Sequence, residues 1–199
     1  MKCLLMPIVL CGLLYMDTSI AELNNTANFV DTKGAIIHPA CLQSLMPNME
    51  NGDIATPTID ITQCQTQYQK TPYQHTEKNF FTYSQQYGFI GYKYIGQLAN
   101  GEQVLDFIQN GGGSGVFESL LIVKQQQLQV ITQNFVNTVQ KQTFNYLFLQ
   151  RIIPAGDRCT GGIAHVTIQD NTLIITQYNG DNASDCAPDK EVKHQVQLP

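Results

Sequence analysis

No stretch of this chain concentrates positive charge. Its 11 Lys and Arg residues are scattered against 16 Asp and Glu, leaving a formal net charge of −5. A mildly acidic chain of this kind has no counterion-release footprint for nucleic acid and no polybasic stripe for anionic lipid, so neither is expected as a partner. Beyond the N-terminus no apolar run is long enough to cross a bilayer. None of the cysteines has a C-x-x-C or H-x-x-x-H spacing around it, the spacing a zinc framework needs, and no cofactor or metal is implied. Gly112-Gly113-Ser114-Gly115-Val116 carries Val where a nucleophile elbow needs its last Gly, and no Lys-Ser/Thr ending makes it a phosphate loop. Helical periodicity never outlasts about two turns, and no internal repeat is visible.

What is present begins with an export signal. Met1-Lys2, an almost wholly apolar run from Cys3 to Tyr15 and the small-residue pair Ser19/Ala21 read as a secretory signal peptide over residues 1–21, cleaved after Ala21. Leu10 before Cys11 argues against lipidation. The expected location is therefore the periplasm or the extracellular space. Cleavage removes Cys3 and Cys11 and leaves Cys41, Cys64, Cys159 and Cys186. An even number of cysteines in an exported chain reads as two disulfides, and the cheaper loop closures favour Cys41–Cys64 and Cys159–Cys186.

The mature chain has the length of one domain. Residues 22–88 read as an N-terminal arm with loops and short strands, and 89–199 as the main β region of the same domain. Cys41 to Met46 has the makings of one helical turn, and Thr58-Ile59-Asp60-Ile61-Thr62 alternates as a short strand. Residues 65–86, rich in Gln, Tyr and Thr, read as a solvated loop or edge segment. From Phe89 the pattern is regular. Ile90, Tyr92, Tyr94 and Leu98 are expected on one strand face, with Gly91 and Gly96 marking a bend or bulge. Asn100-Gly101 is a hairpin signal. Val116 to Lys124 is apolar on both faces and predicts a central strand, followed by a polar turn at Gln125-Gln126-Gln127 and a further strand from Leu128. Phe144 to Ile153 predicts a strand ended by Pro154. Ala164 to Gln169 and Leu173 to Tyr178 predict a hairpin about Asp170-Asn171, with Val192, Val196 and Leu198 adding a last edge strand. The fold class expected is mainly β, an antiparallel sandwich or barrel with little helix.

Two glycine sites stand beside strand ends. Gly111 to Gly115 reads as a bend or wide hairpin in which Ser114 serves the turn. The second site holds Asp157, Arg158, Gly161 and Gly162 around Cys159. It reads either as an anion-binding concavity reinforced by Arg158 or as a turn that lets the backbone pass a disulfide. Tyr68, Tyr73, Tyr83 and Tyr87 offer aromatic area for an interaction loop. His38, His75, His165 and His194 have no ligand or nucleophile partner at useful spacing, and no catalytic residue is assigned. The stretch Gly112-Gly113-Ser114-Gly115-Val116-Phe117, with Gly156-Asp157-Arg158-Cys159-Thr160-Gly161-Gly162-Ile163 downstream, resembles a pattern in uncharacterised exported proteins of Gram-negative bacteria. That resemblance implies a periplasmic location and brings no activity with it.

These features predict a protein that works by binding, with another protein as partner, in the manner of exported inhibitor or immunity proteins. The alternatives from other classes are a hydrolase acting on cell-envelope polymer and a binder of a small anionic ligand.

Overall fold

The computed structural model describes residues 29–46, 56–133, 139–157, 161–178 and 191–198. The signal-peptide segment, Arg158, Cys159 and Cys186 lie outside them, and so does the Cys159–Cys186 pairing.

The chain forms α1 (Ala40–Gln43), β1 (Thr58–Asp60), α2 (Ile61–Tyr68), β2 (Gln74–His75), β3 (Phe81–Ser84), β4 (Phe89–Gln97), β5 (Gln103–Asn110), β6 (Phe117–Gln133), β7 (Val139–Asp157), β8 (Ile163–Gln169), β9 (Thr172–Tyr178) and β10 (Glu191–Gln197). Strands β2 to β7 make an antiparallel meander, and β1 adds to the outer edge of β7, giving a seven-stranded sheet in the order β1-β7-β6-β5-β4-β3-β2. Strands β8 to β10 form a separate three-stranded sheet in the order β10-β9-β8. The large sheet stays open at β1 and β2, so the architecture is a sandwich rather than a barrel.

Alternation in the central strands explains the layering. Val104, Leu105 and Phe107 on β5 and Leu120 to Val123 on β6 are all fully enclosed, so both faces of the large sheet are covered, as expected for a central strand. Leu105, Phe107, Leu121 and Val123 join Tyr92, Phe29, Ile37, Leu42 and Ile61 in one core, roofed by α1, α2 and the segment before them. Val104, Leu120 and Ile122 face the other way and pack on Val166, Leu173, Ile175 and Leu198 of the small sheet and its C-terminal end. The two sheets are also tied at one end through their turns. Ala99 N–H donates to the Asp170 carbonyl at 3.3 Å, and Asn100 N–H to Asn171 Oδ1 at 3.3 Å.

Several expectations need correction. Ile61 and Thr62 begin α2 instead of continuing a strand, because the Asp60 carboxylate accepts the Gln63 N–H at 3.0 Å and caps the helix. Of the two readings of residues 65–86 the edge segment holds for β2 and β3, which form one edge of the main sheet, while residues 65–68 complete α2, held by the Cys41–Cys64 disulfide with the two Cα atoms 5.8 Å apart. Gln125 to Gln127 make no turn. They lie inside the 17-residue β6, since glutamine carries none of the chemistry that turns demand, and the Gln125 amide is satisfied by the Val30 carbonyl at 2.9 Å and Gln103 Oε1 at 3.1 Å. Pro154 does not end β7; it pairs with Ser119 on β6. On the other side β1 reaches only Tyr146 to Phe148, so no ladder bond needs the proline's missing N–H. The register shift between Tyr94 and Gly96 is the bulge that the glycine signalled. It sends Leu98 to the small-sheet core, while Tyr92 and Ile90 stay in the other.

Candidate functional surfaces

The first glycine site is a turn organised by one side chain. Asn110 donates from Nδ2 to the carbonyls of Gly113 (2.8 Å) and Gly115 (2.7 Å), while its Oδ1 accepts the Gly112 N–H (2.7 Å). Ser114 sits exposed on this loop.

At the second site the amides of Gly156, Gly161 and Ile163 are engaged within the fold. Gly156 N–H donates to the Gly161 carbonyl and Gly161 N–H to the Tyr178 carbonyl, both at 2.8 Å. Gly162 is buried, and Ile163 N–H donates to the Glu118 carboxylate. Asp157 also has its interactions within the fold and pairs with Phe117 across the ladder. The described part of the glycine turn leads into β8, whose first residue, Ile163, meets Glu118.

Glu118 belongs to a charged cluster that the sequence reading passed over. Lys93 on β4 stands directly opposite Asp106 on β5, and Glu118 is two residues before Leu120, the partner of Asp106 on β6. All three therefore share the face turned toward the small sheet. Asp106 is only 5% exposed and its Oδ1 has no hydrogen-bond partner. Burial pushes its carboxyl up to about 7, with Glu118 adding to the rise and Lys93 opposing it. Burial also raises Glu118, offset by the Ile163 N–H and by Lys78 and Lys93. The signal was legible: Asp106 is a lone acid inside the apolar run Val104 to Ile108.

The four tyrosines divide. Tyr87 is exposed, at 71%, on the β3–β4 turn. Tyr68, Tyr73 and Tyr83 gather instead around His38, which is 3% exposed. Tyr68 stacks on the imidazole with centroids 5.0 Å apart, and Tyr73 and Tyr83 meet it edge-on at 5.4 and 5.1 Å. Gln65 fixes the segment that carries His38 by accepting its backbone N–H at 2.8 Å and donating to the Ile36 carbonyl at 2.9 Å. His38 Nδ1 accepts the Ala40 N–H at 3.1 Å, so in the neutral ring Nε2 holds the proton. Burial lowers the imidazole's affinity for a second proton, which the Thr71 backbone oxygen restores only in part, and Nε2 has no partner in hydrogen-bonding geometry. Beside this cluster a groove of about 300 Å³ runs between α2 and residues 31–38.

A second aromatic feature lies on the long β6–β7 hairpin. Phe144, Tyr146 and Phe148 alternate along β7 on the face that also carries Leu128, Gln126 and Lys124 of β6. Their rings follow one another at centroid spacings of 6.0 and 6.1 Å. The three are half-buried and Leu128 is 42% exposed, and neither core includes any of them. Among the described residues the small sheet packs on this face at Leu120, Ile122 and Ile153.

Among the described residues no group of three His, Cys, Asp or Glu side chains is placed to hold a metal ion, and no helix is long and apolar enough to cross a membrane. No family model, curated protein or solved structure matches the chain.

Proposed function

We propose that this chain is an exported β-rich protein that works by binding another protein, and that the Phe144–Tyr146–Phe148 ladder is its docking face. The observation that carries this reading is a row of three aromatic rings on a sheet face that neither core buries. Soluble chains rarely leave such a row without a partner, and Tyr and Phe are the side chains that interface cores favour. The rim suits a protein surface: Lys124, Asp60 and Thr58 share this face, a balanced polar border rather than the basic field that nucleic acid or anionic lipid demands. Export rests on the signal-like residues 1–21 and agrees with the Cys41–Cys64 disulfide, since such bonds persist in oxidising compartments.

The hydrolase alternative would rest on Asp106 and Glu118, but Asp106 is enclosed at 5% exposure, out of a substrate's reach.

Photo-crosslinking from position 146 in the native compartment, followed by reconstitution with the purified captured protein, tests the reading. Tyr146→Ser and Phe148→Ser should each weaken the reconstituted complex by at least about tenfold, the scale of an interface hot spot. Wild-type affinity in both variants would overturn the proposal. So would sedimentation showing a homodimer that these substitutions dissolve, since the face would then be covered by a second copy.

A further inference from the structure

The groove beside His38 lies on the opposite face of the main sheet from the aromatic ladder, because Asn145, which lines it, alternates with Phe144 and Tyr146 along β7. From its chemistry we infer that it binds a neutral saccharide unit, independently of the protein partner proposed above.

Buried polar side-chain atoms without hydrogen-bond partners are rare in folded proteins, and each calls for an explanation. Among the described residues there are three: His38 Nε2, Asn145 Oδ1 and Asp106 Oδ1. Two of the three belong to residues lining this one groove. They are complementary, since the His38 nitrogen is a donor and the Asn145 oxygen, whose amide nitrogen is already given to Thr62 Oγ1 at 3.1 Å, is an acceptor. A hydroxyl-rich ligand suits such a pair, because each hydroxyl both gives and accepts a hydrogen bond.

The walls narrow the ligand class further. Tyr68 and Tyr73 supply aromatic surface, and Gln65, Gln69, Thr66 and Thr71 supply neutral polar groups. The only charged side chains in the lining, Asp31 and Lys33, are of opposite sign, and the Asp31 carboxylate is already occupied by the Lys33 and Ala35 N–H groups at 2.8 and 3.0 Å. An ion has no counter-charge here, and a hydrocarbon would leave the polar part of the lining unmatched. A sugar ring, apolar on its C–H faces and polar at its rim, matches both kinds of wall. Tyr73, at 38% exposure, forms the outer aromatic wall, edge-on to the imidazole.

The chain has no tryptophan, so its emission comes from its tyrosines, of which Tyr68 and Tyr73 line the groove. The full-length mature protein is titrated with maltose, cellobiose and N,N′-diacetylchitobiose, following tyrosine fluorescence and the His38 ring resonances. At least one sugar should give a saturable response in both signals. Tyr73→Ala and Asn145→Ala, checked for folding by circular dichroism, should each weaken it by about tenfold or abolish it, while Tyr87→Ala should leave it intact. The inference is overturned if no sugar saturates by about 20 mM. It is overturned equally if the response survives in folded Tyr73→Ala, or if tetra-alanine saturates the signal and the sugars do not, which would make the groove a peptide site.

Discussion

Tyr92 donates its phenolic hydrogen to the Ile37 carbonyl at 2.6 Å, joining the middle of β4 to the segment that roofs the main sheet across 55 positions of sequence. The ring is fully enclosed, and burial raises the phenol well above its ordinary range, so it stays a donor at any working pH. Tyr92→Phe keeps the packing of the ring edge-on to Phe29 but leaves a buried carbonyl without its partner. The expected cost is about 1–3 kcal/mol, read as a lower urea midpoint with an unchanged m-value.

Stability should fall as pH rises from about 4 to about 7 and level off above that. The Asp106 carboxyl is raised to about 7 in the folded chain, against about 4 when unfolded. The folded state therefore binds the proton more tightly, so this contribution is complete below about pH 4 and lost as pH climbs through about 7. Glu118 is shifted in the same direction, with Lys93 and Lys78 as the opposing cations. Asp106→Asn should raise stability by about 2 kcal/mol at pH 8, hardly alter it at pH 4, and flatten the dependence of Tm on pH between them. A variant as pH-dependent as the parent would remove Asp106 as the cause.

Reducing the Cys41–Cys64 bridge should cost about 3 kcal/mol, because the bond closes a loop between positions 23 apart that the unfolded chain must otherwise explore. A Cys41→Ala/Cys64→Ala variant should show the same loss under oxidising conditions. Equal urea midpoints with and without reductant would contradict this.

Two glycines of similar context should respond oppositely to alanine. Gly88 has φ +91°, and a Cβ there would lie 1.9 Å from the Asn110 carbonyl oxygen, a backbone atom that cannot move aside. Gly88→Ala should destabilise by at least about 2 kcal/mol. Gly113 lies in open space with no positive φ, so Gly113→Ala should be neutral or stabilising by up to about 1 kcal/mol. Thermal melts of the two variants side by side decide the matter.

The fold class was written locally. Two-faced apolar runs such as Leu120 to Val123 demand cover on both sides, and turn chemistry at Asn100-Gly101 and Asp170-Asn171 places hairpins wherever the chain continues. The Cys41–Cys64 pair was legible from spacing alone. Strand ends were less so: polarity at Gln125 to Gln127 looked like a turn, yet a polar residue halts a strand only when it also bends the backbone.

What a site needs is convergence, and sequence alone does not report it. Tyr68, Tyr73 and Tyr83 read as an interaction loop until helix capping at Asp60 and the pairing of β3 with β4 turned them toward His38. Asp106, Glu118 and Lys93 come from three strands, and only the register of those strands puts them on one face. The sequence by itself determined a mainly β chain stapled by Cys41–Cys64. The tertiary structure decided which aromatic rows enter a core, which stay half-buried outside both, and which described polar atoms go without partners, because burial and register depend on residues far apart in the chain.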